Sequence, residues 1–385
     1  MPTNKIQRIP IPASIEVSRK ARILRSQGVD IIDLSVGQPN HNPPINDSNI
    51  EHIFSYSDCR NYGSAEGESE LRSAICRRVY EQHQVSLSTA QVVVTPGLKL
   101  GIHYLFTSLL EPDDEVIVPT PCWLSYGNLV DISGGKTVFI KSTEANNFIS
   151  EVEHIEQAIT PRTKAIIISN PVNPSGSFWD KESLAQLVDI STSKGIYLIV
   201  DGIYEDFDFY DSLTPLSELI DELDNKYFIY LSGFSKSFAV PGLRIGYVLA
   251  SEKIAKLISK CQSQLMTCPG VLDQSIALNL LKNFSKRRFS EAMKHYSGKL
   301  NESKMYLENN DIGYVSAKGT FYLLIKSDFI DKSSVKASLI ILNSTNVATV
   351  PGIAYGNELD SYVRLSLTDS RENIMKALQR IRLLR

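Results

Sequence analysis

The chain has 385 residues, enough for two or three domains with full hydrophobic cores, and its net charge of −3 provides no basic field for a nucleic acid. Its five cysteines form no CxxC pair, so we expect neither a disulfide framework nor a thiolate zinc site, and a reducing compartment fits best. The sequence contains no secretory signal and no membrane span of about 18 apolar residues, so we expect a cytoplasmic protein without nucleic acid, membrane or metal as partner.

The predicted elements begin with a helix over Ile15–Gln27 and a strand over Asp30–Ser35. Between about residues 90 and 250, short β-branched runs alternate with longer amphipathic stretches, a pattern typical of a parallel sheet covered by helices. The predicted strands of that sheet are Gln91–Thr95, Glu115–Val118, Lys136–Ile140, Lys164–Ser169, Ile196–Asp201, Tyr227–Ser232 and Arg244–Ala250. The clearest intervening helix covers Lys181–Lys194 and stops at Gly195.

A long helical stretch from about Ser251 leads into a region of different composition. There, Phe321–Ile325, Val347–Val350 and Tyr362–Leu367 alternate like strands of a smaller sheet, and Arg371–Leu384 is predicted to form a closing helix. The sequence therefore predicts an α/β fold, with a large domain around a mostly parallel seven-stranded sheet and a smaller α+β domain.

Polar and glycine residues follow the predicted strands directly, where an open parallel sheet binds its ligands. Asp201 and Tyr204 follow one strand, Ser235 and Lys236 follow the next, and Gly97 precedes a helix start that suits a phosphate. Each of these residues alone has an ordinary explanation as a turn, cap or solvated residue. Their occurrence at the same edge of one sheet predicts a binding site there.

Eight motifs in chain order resemble those of the class I/II aminotransferases, the fold type I enzymes that depend on pyridoxal 5′-phosphate (PLP). The motifs are VGQPN at 36–40, YGSAEGESELR at 62–72, TPGLK at 95–99, PCWLSY at 121–126, SNPVNPSG at 169–176, DGIY at 201–204, SGFSKSFAVPGLRIGY at 232–247 and YVRLSL at 362–367. The resemblance covers about residues 15–384 and implies a three-layer aminotransferase-like fold. It also implies a PLP-binding large domain over 46–275 and a discontinuous small domain formed by 1–45 together with 276–385.

The resemblance implies a role in binding PLP for each residue at this edge. Lys236 matches the Schiff-base lysine, which afterwards moves the Cα proton of the substrate. Asp201 matches the carboxylate that keeps the ring nitrogen protonated, and Tyr204 with Asn173 is expected to meet the phenolic oxygen. The groups expected on the phosphate are the backbone amides of Gly97, Leu98 and Lys99, the Ser235 hydroxyl and the Arg244 guanidinium.

Two aromatic residues complete the expected cofactor site. Trp123 matches the aromatic residue that stacks on the ring face, with a purely structural core position as the alternative. Tyr62 matches a tyrosine that reaches the phosphate of the neighbouring subunit, so the resemblance implies a homodimer with shared active sites.

Substrate recognition is expected from a second group of residues. Arg364 matches the arginine that grips the substrate α-carboxylate in a two-pronged pair, with Gly37 and Asn173 nearby. This marks an L-α-amino acid as the substrate. Lys99 stands where some relatives hold a distal carboxylate, and a solvated lysine at a helix start is the alternative.

Two reactions remain open at this stage. The first is transamination, which moves the α-amino group of an L-amino acid to a 2-oxo acid. The second is elimination and ring closure by a PLP lyase or cyclase on a hydroxylated amino acid such as hydroxyarginine. The acidic run over 205–211 would attract a cationic side chain and favour the cyclase, whereas Lys99 favours an anionic one. Departures from the family pattern at Gly202, Gly233, Gln38, Asn40 and Cys122 indicate a specialised lineage.

Overall fold

A seven-stranded sheet forms the centre of the computed structural model, which describes residues 13–46, 60–220 and 226–385. The described strands are β1 (Ile32–Asp33), β2 (Val92–Thr95), β3 (Glu115–Thr120), β4 (Lys136–Lys141), β5 (Thr163–Ser169), β6 (Tyr197–Asp201), β7 (Phe228–Gly233), β8 (Gly246–Leu249), β9 (Tyr322–Lys326), β10 (Val347–Ala348), β11 (Val350–Pro351) and β12 (Tyr362–Ser366). The large sheet has the order β2-β8-β7-β6-β5-β3-β4, and β8 runs antiparallel to both of its neighbours. The predicted mostly parallel seven-stranded sheet is confirmed.

Helices cover both faces of this sheet. The described helices are α1 (Ala13–Ser26), α2 (Ser69–His83), α3 (Leu98–Leu109), α4 (Tyr126–Ile132), α5 (Val152–Gln157), α6 (Lys181–Lys194), α7 (Glu252–Leu265), α8 (Val271–Lys282), α9 (Lys286–Glu308), α10 (Ser334–Thr345) and α11 (Arg371–Arg382). Helix α6 has the predicted bounds, because the Asp180 carboxylate caps its first turn and Gly195 ends it at a φ of 70°.

Alternation along the central strands explains the three layers. In β6, Leu198 and Val200 point into a core shared with α2 and α6, whereas Ile199 points into a core shared with α3 and α7. Both faces are therefore buried, which is why these strands are apolar throughout their length.

The predicted smaller sheet is divided in the structure into two, a two-stranded sheet of β1 and β10 and a three-stranded sheet of β11, β12 and β9. Strand β1 pairs in parallel with β10, so Ile32 lies opposite Val347, and β12 pairs with β9 and β11. Leu34, Ile325 and Ile374 share one core there. These contacts bring the segment around Gly37 close to the C-terminal third of the chain.

Three predicted strands differ clearly from the structure. The strand predicted over Asp30–Ser35 is limited to Ile32–Asp33. The prediction of one strand over Val347–Val350 is wrong, because Thr349 separates β10 and β11, which pair with different strands. The strand predicted from Arg244 starts at Gly246, since Arg244 has a φ of 55° that extended backbone does not adopt. Among the described helices none is both long and apolar enough to cross a bilayer, and the described residues contain no cluster of three or more metal-ligating side chains.

Candidate active site

A cavity of about 390 Å³ opens at the carboxyl edge of the large sheet. The residues of the predicted site that line it are Gly37, Leu98, Lys99, Trp123, Asn173, Asp201, Tyr204, Ser235, Lys236, Arg244 and Arg364. The structure therefore brings together side chains from the seven-stranded sheet, from the three-stranded sheet and from the segment after β1. Two other predicted residues, Gly97 and Tyr62, are not part of the lining.

Lys236 follows β7 and projects its amine into this cavity. Its Nζ donates a hydrogen bond of 2.7 Å to the Gly37 carbonyl. Burial lowers the pKa of the Lys236 amine, and the guanidinium groups of Arg364 and Arg244 act in the same direction. A lowered pKa increases the neutral fraction of the amine, which is the form that attacks a carbonyl carbon.

Asp201 ends β6 and is only 3% exposed. The Tyr126 hydroxyl donates to its Oδ2 at 2.6 Å, and the Ile203 amide donates to its Oδ1 at 3.0 Å. Burial nevertheless raises the pKa of the Asp201 carboxyl to about 6. A buried carboxylate that borders the cavity suits the protonated ring nitrogen of PLP.

Tyr204 and Asn173 line the same cavity as Asp201. Burial raises the pKa of the Tyr204 phenol well above its usual value, and the adjoining Tyr322 phenol adds to this rise. The Tyr204 hydroxyl therefore remains protonated and can donate a hydrogen bond. The two hydroxyl oxygens lie 2.9 Å apart, and Asn173 accepts a hydrogen bond of 3.2 Å from Arg364 Nη1.

The start of helix α3 and Arg244 form a cradle for an anion. Gly97 has a φ of 77°, and a Cβ there would collide with the Arg244 guanidinium. Only glycine therefore lets the guanidinium approach this turn. No side chain caps the first turn of α3, so its backbone amides, including that of Leu98, point at the same place. This arrangement fits the phosphate group of PLP.

Arg364 lies on β12 and is 6% exposed. Besides Asn173, it donates through Nη2 to the Ser35 carbonyl at 3.2 Å, and its Nε is buried without a hydrogen-bond partner. Within the described ranges no carboxylate pairs with this guanidinium. A buried guanidinium without a counter-charge has the geometry and the charge to bind an incoming carboxylate.

Lys99 and Trp123 line the cavity together. The Lys99 Nζ lies 5.0 Å from the centre of the Trp123 ring, which is a cation–π distance. Burial lowers the pKa of Lys99, and Arg244 acts in the same direction. Tyr62, by contrast, is 85% exposed on the surface of the chain.

Sequence reasoning missed several cavity residues. Tyr126 belongs to the PCWLSY motif, and its position three residues after Trp123 was the available signal. Tyr322 and Tyr355 also line the cavity, but no local pattern marks them. The pairing of β9 with β12 brings Tyr322 there, and Tyr355 lies in the segment between β11 and β12.

The structure explains three of the departures from the family pattern. A Cβ on Gly202 would occupy the place of the Tyr230 hydroxyl, and a Cβ on Gly233 would lie 2.9 Å from the Gly246 Cα. The amide oxygen of Asn40 accepts a hydrogen bond from the Tyr296 hydroxyl. These positions therefore serve packing around the site.

The acidic run after Tyr204 has structural contacts. Asp206 forms an ion pair of 2.6 Å with Arg78, and Asp208 accepts hydrogen bonds from backbone amides of its own loop. Glu205 is buried against side chains of α2 and β7. No residue of this run lines the cavity, so it offers no site for a cationic substrate side chain.

Comparisons with known proteins agree with this geometry. The family model "Aminotransferase class I and II" matches residues 29–381. The aspartate aminotransferase of Thermotoga maritima is 32% identical over 99% of this chain and 98% of that protein. The aspartate/prephenate aminotransferase of Thermus thermophilus is 31% identical over 98% of this chain and 97% of that protein.

Solved structures give the same result. The Thermus thermophilus aspartate aminotransferase with maleate superposes with a TM-score of 0.91 and 29% identity over the full length of both chains. The prediction of a PLP-dependent aminotransferase is confirmed, and the lyase or cyclase alternative finds no support. The chain therefore belongs to the class I and II aminotransferases, and its cofactor is PLP.

Proposed function

We propose that this aminotransferase acts on an amino acid with an acidic side chain, such as aspartate, and on a 2-oxo acid acceptor. Lys99 carries this proposal, because its ammonium lies in the cavity and no described carboxylate pairs with it. Lys236 and Arg244 have the cofactor roles given below, so Lys99 and Arg364 are the two cations of the lining that remain for a substrate with two carboxylates. The names of the relatives, which are aspartate or aspartate/prephenate aminotransferases, support the same substrate class.

The residues that line the cavity have different proposed roles in the reaction, which follow from their chemistry. PLP, when bound, supplies an electron sink that makes the substrate Cα proton acidic. Lys236 moves that proton, and Asp201 keeps a proton on the ring nitrogen. Arg364 holds the substrate α-carboxylate, and Lys99 holds the distal carboxylate.

The other residues of the predicted site fix the cofactor in place. Tyr204 and Asn173 donate to the phenolic oxygen of PLP, and Trp123 covers its ring. The remaining groups hold the phosphate: the amides of Gly97, Leu98 and Lys99, the Ser235 hydroxyl and the Arg244 guanidinium. Their positions around one cavity support this division of roles.

We also propose a homodimer in which Tyr62 of one subunit completes the site of the other. The large exposed area of this aromatic ring supports the proposal, because such rings are frequent at interfaces. The pairing of β1 with β10 supports a small domain formed by 1–45 together with 276–385 around a large domain over 46–275. A cytoplasmic location stays a prediction.

Two lysine variants test the cofactor role and the substrate class separately. We expect Lys236→Ala to purify without the visible absorbance of lysine-bound PLP and to have no transaminase activity. Lys99→Ala is expected to keep that absorbance. Its kcat/KM for aspartate should fall about 10- to 100-fold, because a charge-assisted hydrogen bond contributes about 1.5–3 kcal/mol.

The control for Lys99→Ala is a neutral substrate such as alanine. Its kcat/KM should change far less than that of aspartate, since alanine has no distal carboxylate. An equal loss for both substrates would refute the acidic-substrate proposal. Retention of the visible absorbance in Lys236→Ala would show that another lysine binds PLP.

A further inference from the structure

Tyr322 contacts three parts of the active site through one side chain. It is the first residue of β9 and is 2% exposed. Its hydroxyl lies 2.9 Å from the Tyr204 hydroxyl, and its ring centre lies 3.9 Å from the Arg364 guanidinium carbon. The same hydroxyl packs against Gly37, because a Cβ on Gly37 would collide with it. The Gly37 carbonyl in turn accepts the hydrogen bond from Lys236.

The Tyr322–Tyr204 hydrogen bond has one chemically useful direction. If Tyr204 donates its hydrogen to the phenolic oxygen of PLP, its own oxygen can only accept from Tyr322. Tyr322 is then the donor of the pair. Because hydrogen bonds in a chain polarise one another, donation by Tyr322 makes Tyr204 a stronger donor to the cofactor.

The Tyr322 ring also supports the Arg364 guanidinium. The ring of Tyr355 lies farther from the guanidinium carbon, at 4.9 Å. Since no described carboxylate offsets the charge of Arg364, the face of the Tyr322 ring provides its nearest aromatic support. Contact with the ring restricts the orientation of the planar guanidinium that is proposed to bind the substrate α-carboxylate.

We propose that Tyr322 is a positioning residue that connects the carboxylate-binding Arg364 with the Tyr204 phenol. Its hydroxyl donates to Tyr204, and its ring orients Arg364. This inference rests on the roles proposed above for Tyr204 and Arg364. The titratable and charged groups that face the tyrosine pair are Asp201, Lys236, Arg364 and Tyr355.

The variant Tyr322→Phe separates the two contributions, because it removes the hydroxyl and keeps the ring. The readout is the pH midpoint at which the visible absorbance of the bound PLP changes as it loses a proton. A donor to the phenolic oxygen stabilises the negative charge left there, so a weaker donor raises this midpoint. We expect a rise of about half a pH unit or more. The KM for the amino acid should stay within about twofold of wild type, since the ring still supports Arg364.

Two further variants complete the test, one for the case that Tyr322→Phe does not fold and one as a control for specificity. Gly37→Ala places a methyl group against the Tyr322 hydroxyl and should raise the midpoint without removing the phenol. Tyr355→Phe removes a hydroxyl from another ring beside the same guanidinium but leaves the hydrogen bond between Tyr322 and Tyr204 intact, so it should leave the midpoint unchanged.

The possible results are distinct. An unchanged midpoint in Tyr322→Phe, or in Gly37→Ala if Tyr322→Phe does not fold, would overturn the inference. An equal shift in Tyr355→Phe would overturn it too, because the effect would then be nonspecific. Failure of the proposed function would appear separately, as a wild-type protein that shows no lysine-bound PLP or that does not transaminate aspartate.

Discussion

Two buried carboxylates lie at the end of β6 and just after it, and their surroundings differ. Asp201 borders the cavity, and Glu205 lies on the side of the sheet that α2 covers. Asp201 receives two hydrogen bonds, from the Tyr126 hydroxyl and the Ile203 amide. These bonds do not offset the cost of burial, which raises the pKa of Asp201 to about 6. Its charge is therefore incompletely stabilised by the protein.

Glu205 has three side-chain partners. The Tyr230 and Ser232 hydroxyls donate to its two oxygens, and His83 Nε2 lies 2.8 Å from Oε2. Although burial alone would raise the pKa of Glu205, these hydrogen bonds lower it below its usual value. The fully stabilised carboxylate of Glu205 holds α2 to the sheet. The incompletely stabilised carboxylate of Asp201 would gain from an interaction with a positively charged ligand. This difference supports a structural role for Glu205 and the proposed role of Asp201 in the chemistry of the site.

The largest expected effect is on the activity of an Asp201 variant. Asp201→Asn keeps the size of the side chain but cannot hold the proton on the ring nitrogen. We expect kcat/KM to fall about 10²- to 10⁴-fold while the circular dichroism spectrum stays unchanged. Glu205→Gln is the matched control, with activity per folded molecule close to wild type. Comparable losses of activity in both variants would remove the distinction between the two carboxylates.

The second-largest expected effect is a loss of stability in the variant Glu205→Gln. Glu205→Gln leaves buried donors without their charged acceptor, so we expect the free energy of unfolding to fall by about 3 kcal/mol at pH 7. Because the pKa of Glu205 is lowered in the folded state, this stabilisation is present above the unfolded pKa of about 4.3. It is lost as the pH falls through the folded pKa.

Urea unfolding at pH 7 and at pH 4 measures this difference. The gap between wild type and Glu205→Gln should be largest at pH 7 and should narrow at the lower pH. Equal transition midpoints at pH 7 would contradict the structural role of Glu205.

The same comparison shows how far the sequence predicts the site. Asp201 and Lys236 were predictable because Asp201 ends one strand and Lys236 follows the next, and parallel strands end at one edge of a sheet. The burial of Glu205 was not predictable, because it depends on Gly202, which leaves room for the Tyr230 hydroxyl from the neighbouring strand. An acidic run therefore suggested a cation-binding surface that does not exist in the cavity.

The side-chain contacts of the three-stranded sheet could not be predicted from the sequence either. The antiparallel register sets Leu324 opposite Arg364, and Tyr322 reaches the guanidinium from two residues earlier on β9. A register of this kind depends on the packing of distant segments, and a shift of one residue would turn Tyr322 to the opposite face. The resemblance to the family identified Arg364 itself, but only the fold identified the tyrosine beneath it.

The smallest expected effect is a gain in stability of the PLP-free protein by Asp201→Asn. The folded pKa of Asp201, about 6, lies above the unfolded value of about 3.9, so the charged carboxylate destabilises the fold. This cost is fully present above pH 6 and disappears as the pH falls towards 4. Asparagine carries no such cost, so the PLP-free variant should be about 1–3 kcal/mol more stable than wild type at pH 8.

Thermal melts of both PLP-free proteins at pH 8 and pH 5 measure the gain in stability, which should be smaller at pH 5. A loss of stability at pH 8 would place Asp201 with Glu205 among the structural carboxylates, because its hydrogen bonds would then outweigh its burial.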